Sequence, residues 1–127
     1  MYRRPMTASS AAILTLLAVT GEQLHIDEIA ELMHLPNGEQ RRFGILHHWG
    51  LVERVENEET RKRTSGVWKA TPWGIRFAKN PTNRAPSHVF LRSPGDTFLG
   101  FEETTVTVLD ALRDQFDYPA LMRGEWG

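Results

Sequence analysis

Gly50-Leu51-Val52-Glu53-Arg54-Val55 and, after a polar interval, Val67-Trp68-Lys69-Ala70-Thr71-Pro72-Trp73-Gly74 decide how this chain is read. In the first stretch Gly50 can take the left-handed conformation that ends a helix, and Leu51, Val52 and Val55 have strand character. In the second, the residues up to Ala70 read as a strand, and Thr71-Pro72 as the N-cap and first residue of a new helix. Between them lies Asn57-Glu58-Glu59-Thr60-Arg61-Lys62-Arg63-Thr64-Ser65-Gly66, polar throughout and unable to form core. The order is helix, strand, basic loop, strand, helix. A basic loop held between two paired strands is suited to lie along nucleic-acid phosphates.

Working outward, 127 residues with 40% hydrophobic content and four Trp suit one folded domain with a real core. There is no cysteine, which excludes disulfides, thiolate metal sites and a cysteine nucleophile, and agrees with a cytoplasmic setting. Ala11 to Val19 is the one long apolar run, too short to span a bilayer. Arg3 and Arg4 precede it as in a signal peptide; otherwise they could form an N-terminal arm on DNA or a loose tail. Glu22, Asp27, Glu28 and Glu31 follow at once, however, and apolar positions continue at helical spacing. A core helix is therefore expected, with no secretion and no membrane contact. The net charge of −1 conceals an asymmetry: residues 1–92 carry 13 Lys and Arg against 9 Asp and Glu, whereas residues 93–127 carry 2 against 7. The first balance is compatible with a polyanion; the second favours a protein partner or solvent.

Upstream, Ser9 or Ser10 can cap a helix whose apolar positions Ile13, Leu14, Leu16, Leu17 and Val19 leave little polar face, and Gly21 ends it. Leu24 and Ile26 suggest a short extended piece. Asp27 is expected to cap a helix with Ile29, Leu32 and Met33 inward. After the break at His34-Leu35-Pro36, Asn37 is expected to cap a third helix, with Gln40 in capping-box spacing, running to about Trp49 with Phe43 and Leu46 inward. Two helices across a short turn, the second feeding two strands, form a helix-turn-helix with a wing.

This portion, roughly residues 8–80, resembles the winged-helix transcription regulators of bacteria. The resemblance rests on Asp27-Glu28-Ile29-Ala30-Glu31-Leu32, on the joint from Leu46 to Gly50-Leu51-Val52, and on Thr71-Pro72 with Gly74. Pro36 in the turn departs from that pattern and offsets the third helix. Downstream, Pro81, Asn83, Pro86 and Ser87 mark a linker over 81–87. His88–Leu91 and Thr97–Phe101 flank the turn-rich Arg92-Ser93-Pro94-Gly95-Asp96 as a β-hairpin. Thr105 or Thr107 can cap a helix over Val108–Gln115 with Leu109, Leu112 and Phe116 on one side. A last helical turn is expected at Tyr118–Met122. Leu99-Gly100-Phe101 and Phe116-Asp117-Tyr118 with Leu121-Met122 look like the C-terminal extension of small uncharacterised winged-helix proteins of phages and bacteria. The fold expected is α+β: a winged helix-turn-helix over 1–80, with three helices, a two-stranded wing and a fourth helix. An acidic hairpin and helix over 88–127 then pack on it or form a dimer contact.

Several sets of residues bear on chemistry. At the start of helix 37–49 stand Asn37, Gln40, Arg41 and Arg42; Arg can grip guanine and Gln adenine, and Gly44 permits close backbone approach. In the wing 57–66, Arg61, Lys62 and Arg63 suit phosphates, although Glu56, Glu58 and Glu59 adjoin them. Of the histidines, His47 and His48 should diverge by about 100° on a helix, so a metal is not expected, and His48 is placed toward DNA. No phosphate loop, nucleophile elbow or His/carboxylate pair in motif spacing is present, so no catalytic residue and no cofactor are assigned. The aromatic residues, Phe98 and Phe101 included, are expected mostly in the core, and four Trp in so small a fold suggest a surface covered by a second copy. The expectation is a prokaryotic or phage regulator that binds double-stranded DNA, as a homodimer. The alternative is a winged-helix interaction module, such as a phage factor that binds a host or regulatory protein, without DNA binding.

Overall fold

The computed structural model describes residues 1–35, 38–55 and 66–126, and within these the side chains of residues 39–41 are left undescribed. Its first helix, α1 (Ala8–Thr20), is the centre of the molecule, with every residue from 8 to 18 buried. Small side chains explain how: Ala8, Ser9, Ser10, Ala11, Ala12 and Ala18 let neighbouring elements come close on several sides. The polar groups inside are satisfied locally, as the Thr15 hydroxyl donates to the Ala11 carbonyl at 2.8 Å. Thr7 is the N-cap, accepting from the Ser10 amide at 3.2 Å, so Ser9 and Ser10 are helical residues and not the caps the sequence suggested. Gly21 ends α1 in the left-handed conformation, φ +70°, as expected.

Strand β2 (Leu24–His25) leads into α2 (Ile26–Met33). The cap of α2 is His25, whose Nδ1 accepts from the Asp27 amide at 3.1 Å; Asp27 lies in the first turn instead of capping it. Ile29 is buried, but Leu32 is 43% exposed, so the inner face of this short helix is narrower than its apolar spacing implied. The third helical segment runs Glu39–Trp49 in the tighter 3₁₀ form, preceded by Gly38 at φ +86° with no side-chain cap. Asn37, assigned that cap from sequence, lies outside the described residues. Phe43 and Leu46 are fully buried on its inner side. Gly50 (φ +70°) turns the chain into β3 (Val52–Arg54), which pairs antiparallel with β4 (Val67–Ala70); β2 pairs with the other edge of β4, giving the order β2-β4-β3.

Helix α3 (Pro72–Lys79) has the cap read from sequence: the Thr71 hydroxyl accepts from the Gly74 amide at 3.0 Å, with Pro72 in the first turn. Gly74 allows α3 to lie close against the chain at Leu51, just ahead of β3, since a Cβ there would collide with the Leu51 carbonyl oxygen. The remaining chain returns to the start. β1 (Tyr2–Pro5) pairs antiparallel with β6 (His88–Arg92), which pairs with β7 (Thr97–Phe101) in the order β1-β6-β7. Arg3 and Arg4 are thus strand residues, not a loose arm, because the β6 edge offers their backbone hydrogen bonds. Within the stretch read as a linker, β5 (Ala85–Pro86) pairs with β8 (Thr105–Val106). Thr107 and Asp110 form a full capping box for α4, which spans only Val108–Leu112; Leu109 is 46% exposed instead of facing inward. Backbone hydrogen bonding from Thr107 holds the Asp110 carboxyl below its usual range. α5 (Tyr118–Met122) has Pro119 in its first turn, and its Tyr118 hydroxyl donates to the Ala78 carbonyl at 2.6 Å. Burial raises the Tyr118 pKa, which keeps that donor protonated.

One core cluster joins these parts, running from Met6 and α1 through Phe43, Leu46, Trp68 and Phe77 to Val89, Leu112 and Leu121. All four tryptophans are accommodated within it: Trp49 and Trp68 are buried, while Trp73 and Trp126 pack on its edge. The surplus of tryptophan that suggested a second copy is therefore absorbed by one protomer. No helix of the described residues is long and apolar enough to cross a membrane.

Candidate functional site

Strand β1 meets the 39–49 helix and the neighbouring β3 along one groove of about 720 Å³. β1 contributes Arg4, the 39–49 helix contributes Arg42, Gly44, His47 and His48, and β3 contributes Arg54; Gly95 and Asp96 of the hairpin turn close one end. Arg4, Arg42 and Arg54 are all exposed, and among the described residues no carboxylate pairs with any of them. Two of the guanidiniums rest on rings that fix their direction: Arg4 lies 5.1 Å from the Tyr2 centroid and Arg54 5.0 Å from that of Trp68. Asp96 is the single acid among the described lining residues. The nearby acids are engaged elsewhere, Glu102 with Arg3 at 3.0 Å and His88 at 2.9 Å, and Glu53 with Lys69 at 3.2 Å. Among the described lining residues, three arginines thus stand against one acid.

Beside the groove stands an aromatic ledge. The His48 ring stacks on Phe98, centroids 5.8 Å apart and planes 15° from parallel, and Trp49 approaches Phe101 at the same distance. Phe98 and Phe101 meet edge to face at 5.1 Å. Contrary to expectation these two phenylalanines are not core: Phe98 is 46% and Phe101 37% exposed, on a strand with one neighbour in its sheet among the described residues. Trp49, in contrast, is buried, and its indole N–H donates to the Pro86 carbonyl at 2.7 Å.

Of the residues singled out from sequence, Arg42, Gly44 and His48 come together in the groove. Asn37, Arg61, Lys62 and Arg63 lie outside the described residues, as do Glu56, Glu58 and Glu59, and the side chains of Glu39, Gln40 and Arg41 are not described. Gly44 has a packing role of its own: a Cβ there would stand 3.3 Å from the edge of the Trp68 ring. The His47 and His48 rings do not diverge but approach to 4.0 Å, as Nδ1 of His47 turns back to the Gly44 carbonyl at 3.0 Å. Burial, and then the neighbouring His47, lower the pKa of His48. Among the described residues no three His, Asp or Glu side chains gather at one point as metal ligands.

Sequence reasoning missed Arg54 and the Phe98–Phe101 ledge as parts of a site, and considered Arg4 only as part of an N-terminal arm. Arg54 sits within the stretch that decided the fold and could have been counted with the wing. Nothing in the sequence placed Arg4 beside Arg42, because their meeting depends on β1 pairing with β6. Comparison with protein-family models, with curated proteins and with solved structures found no match for this chain.

Proposed function

We propose that this protein is a winged-helix DNA-binding regulator, not an enzyme, acting in the cytoplasm. The order α1, β2, α2, the 39–49 helix, β3 and β4, with β4 central between β2 and β3, agrees with that architecture. In this reading the 39–49 helix enters the major groove of double-stranded DNA through its first turns, with Gln40, Arg41 and Gly44 at or near base edges and Asn37 also contacting the DNA. Arg42 and the wing residues Arg61, Lys62 and Arg63 hold phosphates, and His48 stands at the rim. The observation that carries the proposal is the convergence of Arg4, Arg42 and Arg54 on the groove alongside this helix. Three exposed cations without carboxylate partners among the described residues suit a polyanion far better than a solvated surface of mixed charge.

The test is fluorescence anisotropy with duplex DNA of random sequence across a salt series. Binding should weaken steeply with salt, and Arg42→Ala should reduce the slope of log K against log[salt] by about 1. Salt-independent binding, or an unchanged slope in the variant, would remove Arg42 from the phosphate path. One observation favours a second reading, a winged-helix module for a host or regulatory protein: Phe98, Leu99 and Phe101 are exposed together on β7. Under that reading duplex DNA does not bind even at low salt. A homodimer on a two-fold site is compatible with either and is checked by sedimentation.

A further inference from the structure

The ledge of Phe98 and Phe101 lies alongside the arginine groove, joined to it through His48, which lines the groove and stacks on Phe98. An exposed aromatic pair is costly in water, and its usual covers are an apolar partner or a flat ring. The charge around it decides between them. Arg4, Arg42 and Arg54 border the adjoining groove, and a hydrophobic protein face laid over the ledge would hold these cations against apolar surface. A nucleotide strand answers both requirements, phosphates toward the arginines and bases on the rings. Bases within a duplex keep their faces stacked on each other, so only unpaired bases can use the ledge. The adjacent Glu102 is already held by Arg3 and His88, which lowers the repulsion a strand would meet there.

We infer that the His48–Phe98–Phe101 ledge stacks unpaired bases of a DNA strand continuous with the duplex on the 39–49 helix, so that the preferred ligand is a duplex with a single-stranded end or opening. The inference rests on the DNA reading for the duplex part and on the ledge for the strand part. Phe98 extends the stack already begun by His48, with nearly half its surface open to receive the next ring.

The experiment compares a blunt duplex with the same duplex carrying a thymidine overhang, and with a free thymidine strand, by anisotropy at fixed salt. The overhang should tighten binding by about 5- to 150-fold, the range that stacking of one base supplies. Phe98→Ala and Phe98→Leu should abolish that gain and leave blunt-duplex binding unchanged, whereas Phe98→Trp should retain it. Because Phe98 is half exposed, these variants keep the fold, and a circular-dichroism spectrum verifies it. Equal binding of blunt and overhung duplexes overturns the ledge and leaves the duplex reading standing. Binding of strand and overhang without the blunt duplex overturns the duplex reading and leaves the ledge. Tighter binding of a uridine RNA strand than of the DNA strand overturns the assignment to DNA. Binding of no nucleic acid overturns both, and puts a protein partner on β7.

Discussion

α1 and β7 are both rich in apolar residues, yet one vanishes into the molecule and the other remains on its surface. In α1 the apolar side chains alternate with Ala, Ser and Thr, and α3, α4, α5 and the 39–49 helix pack around it until residues 8–18 are all buried. In β7 the apolar side chains are large, Phe98, Leu99 and Phe101, and the strand has β6 on one side and, among the described residues, no strand on the other. Small residues allow close packing from several directions; large ones on a sheet edge can be covered on one side only. The lesson is that apolar content measures the capacity for burial, and the number of neighbours decides whether the capacity is used. In this molecule the first region supplies stability and the second supplies surface.

Two phenylalanines offer the most direct way to break this contrast. Phe43 is fully buried, edge to face with Trp68 at 5.7 Å, and Phe43→Ala should cost about 3–5 kcal/mol in urea unfolding. A loss under about 1 kcal/mol would mean that the core around it collapses freely, against the packing described here. Next in size is Gly74→Ala. Its new methyl meets the Leu51 backbone, which cannot yield as a side chain would, and overpacking of this kind should cost about 1–3 kcal/mol in thermal or chemical unfolding. Stabilisation by the higher helix propensity of Ala would show that α3 can shift away from the Leu51 backbone.

Phe98→Ala should change stability by no more than about 0.5 kcal/mol, as befits a surface site, while altering ligand binding as described above. If it destabilised as Phe43→Ala does, the ledge would belong to the core. The smallest effect concerns pH. Since burial and His47 lower the native pKa of His48 below its ordinary 6.5, the unfolded chain takes up a proton there more readily than the folded one. The contribution is therefore fully present above pH 6.5 and is lost as pH falls through that value toward the lowered native one. His48→Gln should flatten this part of a stability–pH curve, measured by urea midpoints. An unchanged curve would place the acid sensitivity at another group.

Much of the architecture was legible wherever one residue type controls the local backbone. Gly21 and Gly50 end their helices in the left-handed conformation, Thr71-Pro72 starts α3, and Pro119 sits in the first turn of α5. Caps were less legible where several polar residues compete: Thr7 displaced Ser9 and Ser10, and His25 displaced Asp27. Of the site, only Arg42, Gly44 and His48 were found by reading along one helix. Arg4 and Arg54 were not, because they arrive from strands whose partners lie elsewhere in the chain.

By itself, then, the sequence determined that Gly21 and Gly50 end their helices, and where the strand pair leaves and rejoins the helices. These depend on backbone preferences and on polarity within a few residues. Only the tertiary structure decided that the N-terminal residues pair with β6, that all four tryptophans fit one protomer, and that Phe98 and Phe101 stay exposed beside three arginines. Those outcomes depend on strand pairing between segments more than eighty residues apart, whose register no local preference sets.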